Sequence, residues 1–72
     1  MSKGIRILRD SLLRASVVVD DGSELWLVPR APEGWRRRQR LSMTPEARQK
    51  RLTPVRGVDH AWLGIPMQEA SA

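Results

Sequence analysis

Seventy-two residues carry 13 Lys plus Arg against 8 Asp plus Glu, with no cysteine and three tryptophans as the sole aromatics. A chain of this length builds one small core with a few kcal/mol of net stability and little room for a catalytic pocket, so an autonomous enzyme is not expected. Without cysteine there is no disulfide framework and no thiolate zinc site; no apolar run exceeds Leu25-Trp26-Leu27-Val28, and the charged N-terminus lacks a signal-peptide core, so a soluble cytoplasmic chain without a membrane partner is expected.

Over residues 4–15, Ile5, Leu8, Leu12 and Ala15 recur at helical spacing, while Arg6, Asp10 and Arg14 stand four apart on another face. The pattern predicts an N-terminal helix. Ile5 and Ile7 alternate around Arg6, which also admits a short strand at 5–8, but the helix fits more of the segment.

A β-hairpin follows over 15–28. Two apolar, β-branched stretches flank Asp20-Asp21-Gly22-Ser23, and the Asp-Gly pair is what a tight two-residue turn prefers. With Asp21-Gly22 as the loop, Val18 faces Leu25 and Val17 faces Trp26. One face then carries Ala15, Val17, Trp26 and Val28, and the other Val18, Leu25 and Leu27. Both faces are apolar, and a lone hairpin is marginal in water, so both require cover.

Pro29 ends the second strand, and Pro32 with Gly34 makes residues 30–34 a turn. Thr44-Pro45-Glu46 reads as a helix start, with a capping hydroxyl, a proline in the first turn and an acid near the positive end of the dipole. That helix spans about 45–52, because Thr53 precedes Pro54 and is pushed out of the α region. Residues 58–65 can add a third strand, and 66–72 read as a frayed tail after one domain over 1–65. The fold class expected is α+β.

The net charge of +5 hides a strong segregation. Residues 1–29 are balanced, 57–72 are mildly acidic, and 30–56 place Arg30, Arg36, Arg37, Arg38, Arg40, Arg48, Lys50, Arg51 and Arg56 against Glu33 and Glu46. Arginine predominates, and its planar guanidinium pairs with carboxylate or phosphate in a fork and stacks on aromatic rings. The densest stretch is Trp35-Arg36-Arg37-Arg38-Gln39-Arg40. Four guanidinium groups so close repel one another unless solvent or an anionic partner screens them, and an indole beside them can stack on a base or fill a protein pocket.

Trp35 and the basic residues of the 30–56 block are therefore the candidate partner-binding set. Trp26 and Trp62 are assigned to the core, since a chain without Phe or Tyr must take its bulk from them. Asp59 beside His60 is the one pair suggestive of acid–base or metal chemistry. Neighbours on a strand point to opposite faces, and no second histidine or cysteine accompanies them, so no catalytic residue, metal or cofactor is expected.

Leu25-Trp26 followed by Pro32-Glu33-Gly34-Trp35 resembles the strand-and-turn signature of MbtH-like proteins, small partners of adenylation domains. The pattern departs from that family: Leu27 stands where it has proline, the spacing is shorter, and its C-terminal Trp-Thr-Asp-Met-Arg-Pro run is absent. In size, arginine-rich balance and Trp-Arg content the chain is similar to small bacteriophage-encoded regulators that bind host RNA polymerase. That resemblance implies a large host protein as partner, RNA polymerase first, with initiation or termination modulated through an Arg/Trp surface and no small-molecule substrate. Two alternatives are a free-standing nucleic-acid binder using the 30–56 block and an inhibitor of a nucleic-acid-guided nuclease.

Overall fold

The computed structural model describes residues 4–66, so the 66–72 tail expected from the sequence lies outside the described residues beyond Pro66. Five antiparallel strands, β1 (Arg6–Asp10), β2 (Ser16–Asp20), β3 (Leu25–Pro29), β4 (Gln39–Leu41) and β5 (Leu52–Pro54), join two helices, α1 (Pro45–Arg51) and α2 (His60–Leu63). The sheet order is β4-β3-β2-β1-β5, so the α+β class holds.

The helix expected over 4–15 is instead the strand β1. Its residues bury with a period of two: Leu8 and Asp10 on one face, with Ile5 and Ile7 packing against the core on the other. Leu12, which completed the helical stripe, is 70% exposed in the turn that follows. The charges that looked like a helical ladder pair elsewhere, Arg6 with Asp20 across the sheet and Asp10 with Arg51. Pairing with both β2 and β5 outweighs the local preference.

The hairpin forms as β2–β3, with its register displaced by two residues. Asp20 faces Leu25, Val19 faces Trp26 and Val17 faces Val28. The turn therefore centres on Gly22-Ser23, and Gly22 takes the positive φ of 94°. Asp21 sets this geometry: its carboxylate accepts the Ser23 and Glu24 N–H groups at 2.8 and 2.7 Å, while the Asp20 carboxylate accepts from Gly22. A displacement of two preserves the side-chain alternation, so Val17 and Val28 still share one face and Val18, Leu25 and Leu27 the other.

α1 forms as the sequence predicts. Thr44 Oγ1 accepts from Ala47 N–H at 3.1 Å, Pro45 opens the first turn, and Leu52 turns extended ahead of Pro54. Residues 58–65 do not form a strand. Asp59 caps the one-turn helix α2 by accepting from Trp62 N–H, and Gly64, at φ 75°, closes it with Ile65 N–H bonding back to His60. Strands β4 and β5 take the sheet edges, each only three residues long.

The two faces of the sheet are covered differently. On the first, Val17, Val19 and Val28 pack against Leu63 and Ile65 from the C-terminal segment, with Trp26, Trp35 and Val58 around them. On the second, Leu8, Val18 and Leu25 are flanked by Leu27, Leu41, Met43 and Leu52, and α1 lies over them without burying any residue of its own. The buried Asp10 carboxylate ties the end of α1 down, accepting from Arg51 Nη2 at 2.7 Å and Nε at 3.3 Å. Among the described residues no helix is long and apolar enough to cross a membrane.

Between β3 and β4 the chain makes a tight turn that only glycine permits at Gly34, where a Cβ would lie 2.1 Å from the Pro29 carbonyl oxygen. Glu33 adopts the left-handed region at φ 59°, which aims its N–H at the Trp62 carbonyl, 2.9 Å away. This turn delivers Trp35 and the arginines after it to the β4 edge.

Candidate functional site: an arginine and tryptophan surface

Trp26 projects from β3 on the first face of the sheet and Trp35 from a 3₁₀ turn, Gly34–Arg37, that leads into β4. Their rings meet edge to face, with centroids 6.3 Å apart at 71°. The Trp26 indole N–H donates to Asp21 Oδ2 at 2.8 Å, so the hairpin turn fixes the ring. Bonds from Glu24 N–H, the Trp26 indole and Ser23 N–H hold the Asp21 carboxyl at about 2, well below its usual value.

Arg38 lies in the angle between the two indoles. Its guanidinium carbon is 4.3 Å from the Trp35 ring centroid and 4.7 Å from that of Trp26, and Nη1 donates to the Trp35 carbonyl at 3.1 Å. Each ring presents π density to the cation, and together they order a side chain that would otherwise rotate freely. Nη1 makes the one hydrogen bond of this guanidinium among the described residues, and the remaining donors are available to an anion.

Of the other expected partner-binding residues, Arg36 reaches Glu33 at 3.5 Å and Arg40 reaches Glu24 at 2.9 Å, both exposed pairs of small energetic consequence. Arg37 is exposed beside them. Arg30 lies in the turn after β3, Arg48 and Lys50 on α1, and Arg56 beyond β5 at the opposite sheet edge; all four are exposed and make no ion pair among the described residues. Arg51 points inward to Asp10 and holds the fold together. The contiguous basic block of the sequence thus divides into the Trp-Arg cluster at the β4 edge and a scatter of single cations.

Trp62, assigned to the core, is instead 48% exposed on α2, while Trp35 is half-buried with one side packed against the core. The cause is the failed third strand: in a one-turn helix Leu63 takes the inward position and Trp62 the outward one. Trp26 does pack against the core, as expected. Asp59, beside His60, serves as a helix cap, and no cluster of metal-ligating side chains occurs among the described residues.

One member of the site escapes sequence reasoning: Asp21 is legible as a turn residue, yet its bond to Trp26 depends on the two-residue register shift. On the second face, burial opposes ionisation of Asp20, but the Arg6 and Gly22 hydrogen bonds and the charges of Arg6 and Arg48 outweigh it and lower its pKa. Comparison with protein-family models, with curated proteins and with solved structures finds no match for this chain.

Proposed function

We propose that this chain is a small basic regulatory binding protein, phage or mobile-element encoded, that docks on the host transcription machinery, RNA polymerase above all, and modulates initiation or termination through its Arg/Trp surface. The observation that supports this reading is Arg38 held between Trp26 and Trp35. Arginine and tryptophan carry much of the binding energy at protein interfaces, and a guanidinium already ordered by stacking loses less freedom when it meets a carboxylate or phosphate. Arg36, Arg37 and Arg40 extend the positive field around it.

Capture from a bacterial lysate with the tagged protein tests the proposal. RNA polymerase subunits are expected at stoichiometric yield, resistant to nuclease treatment and lost with both Arg38→Ala and Arg38→Lys, since lysine keeps the charge but not the planar stack. Recovery of no polymerase subunit overturns it.

A second reading, free-standing nucleic-acid binding, draws on the exposed cations Arg30, Arg37, Arg48, Lys50 and Arg56, which make no ion pair among the described residues. It predicts oligonucleotide affinity without a protein partner and a slope of log affinity against log salt of about −3.5 to −4.5 if all five meet phosphates.

A further inference from the structure

The function proposed above uses Trp26 and Trp35 and leaves the third tryptophan idle. Trp62 is one of two large apolar side chains exposed among the described residues, 48% open to solvent on α2, the other being Leu12 in the turn after β1. Its backbone is fixed on both sides. Its N–H donates to the Asp59 carboxylate at 3.1 Å, its carbonyl accepts from Glu33 N–H at 2.9 Å, and the next residue, Leu63, is buried in the core. An indole on so firm a base offers a large apolar surface to a partner without the cost of ordering the backbone beneath it.

The bond to Glu33 joins this helix to the turn that carries the arginines. Glu33 holds the left-handed backbone at φ 59°, which few residues with a side chain adopt, and that conformation aims its N–H at α2. The Glu33 carboxylate lies between the two elements: Oε1 is 3.5 Å from Arg36 Nε and 3.3 Å from where a Cβ on Gly64 would stand. Leu63 from α2 and Trp35 from the turn pack on the same core cluster, so Trp62 and the arginines rise from one layer over the first face of the sheet.

The charge on the turn side of this layer is one-sided. Residues 30–41 hold Arg30, Arg36, Arg37, Arg38 and Arg40 against Glu33 alone. A polypeptide and a nucleic acid both supply anions, and the surroundings of Trp62 separate them. Asp59 is bonded to its N–H, and Glu33 is bonded to its carbonyl, so bases stacked on this indole would bring their phosphates against two carboxylates. Carboxylates on a polypeptide can be spaced to fall on the arginines only, with an apolar side chain between them to meet the indole.

We infer that Trp62 and the Arg38 cluster form one docking surface, and that its partner is an acidic polypeptide on which an apolar side chain stands among carboxylates. The apolar group covers the Trp62 indole, and the carboxylates meet Arg37 and Arg38. The inference rests on the docking reading above and adds to it the chemistry of the partner and a second anchor.

The probe is the synthetic peptide Ac-Glu-Glu-Leu-Phe-Glu-Glu-NH2, titrated at low salt into the full chain while the indole N–H resonances of the three tryptophans and the Arg38 Nε–H are followed. The Trp62 and Arg38 signals are expected to move together and to saturate with one affinity. Replacing Leu-Phe by Ser-Ser in the peptide should weaken binding about fivefold, as should Trp62→Ala or Arg38→Gln in the protein. The peptide change tests the indole contact without altering the protein. No saturable shift, a Trp62 signal that stays still while Arg38 responds, or indifference to the Ser-Ser and Trp62 changes overturns the inference. So does tighter binding of oligothymidylate with a larger Trp62 shift, which assigns the surface to nucleic acid, or broadening of the Trp62 signal with protein concentration alone, which assigns it to a second copy. Peptide binding without polymerase capture counts against the polymerase reading alone, whereas capture that is lost with Arg38→Ala yet survives Trp62→Ala counts against this inference alone.

Discussion

Val17, Val19 and Val28 on one face of the sheet meet Leu63 and Ile65 and are wholly closed off, whereas on the other face Leu8 and Leu25 lie beneath a helix that buries none of its own residues. The first face is held by distributed packing, each side chain touching several others. On the second, α1 is tied down at its end through Arg51, whose guanidinium meets the buried Asp10 and whose carbonyl accepts from Ser11 N–H. A domain this small has little stability to spare, and both faces contribute buried residues, but only the second is left with an open cleft between helix and sheet.

The sharpest challenge to that contrast is Asp10→Ala, which strips the buried pair of its acceptor and frees α1. A loss of about 4 kcal/mol is expected, because the buried carboxylate accepts from the Leu12 N–H as well as from Arg51 and all of these charge-assisted bonds go at once, and the chain should be largely unfolded in a urea titration extrapolated to water. Next, Leu63→Ala on the closed face should cost about 3 kcal/mol, against about 1 kcal/mol for Leu52→Ala on the cleft wall, where truncation leaves no sealed cavity. Equal losses by thermal unfolding would show the two faces to be packed alike. Gly34→Ala, which drives a Cβ into the Pro29 carbonyl, should cost about 2 kcal/mol and shift Trp35 resonances ahead of those near α1.

The smallest expected effect is on acidity. Asp21 has its pKa lowered in the fold from 3.8 to about 2, so its contribution is complete above about pH 4 and is lost as the pH falls toward 2. Asp20 shifts in the same direction. The Trp26 indole N–H resonance should follow that titration, while methyl signals from Leu8 and Leu25 stay in place until global unfolding.

Elements governed by local chemistry were legible in the sequence. Asp-Asp-Gly-Ser announces a hairpin, and Thr44-Pro45-Glu46 announces α1, because caps and turns are decided within a few residues. The alternation of the hairpin also gives its two faces correctly, even though the loop lies one residue further on and the pairing is displaced by two. What failed was long-range. Ile5, Leu8 and Leu12 fit a helix or a strand, and the choice falls to β5, more than forty residues away in sequence. Three-residue strands such as β4 carry no readable alternation. Within the site, the four arginines after Trp35 look equivalent in sequence. Arg38 differs from its neighbours only because the register of β3 and β4 places it over Trp26. Asp10 and Arg51 likewise carry no pairing signal across the residues between them.

The outermost strands of the sheet, β4 and β5, are also its shortest, and each has a feature that discourages another chain from adding on. Pro54 removes a backbone donor from β5, and β4 ends in Arg40 and Leu41 after an exposed Gln39. A second molecule approaching edge-on would find three residues of ladder, interrupted by proline on one side and by a cation on the other. Edge-on lengthening of the sheet is therefore disfavoured at both ends, so crowding meets little ladder to extend and side-chain surfaces are the better foothold for a partner.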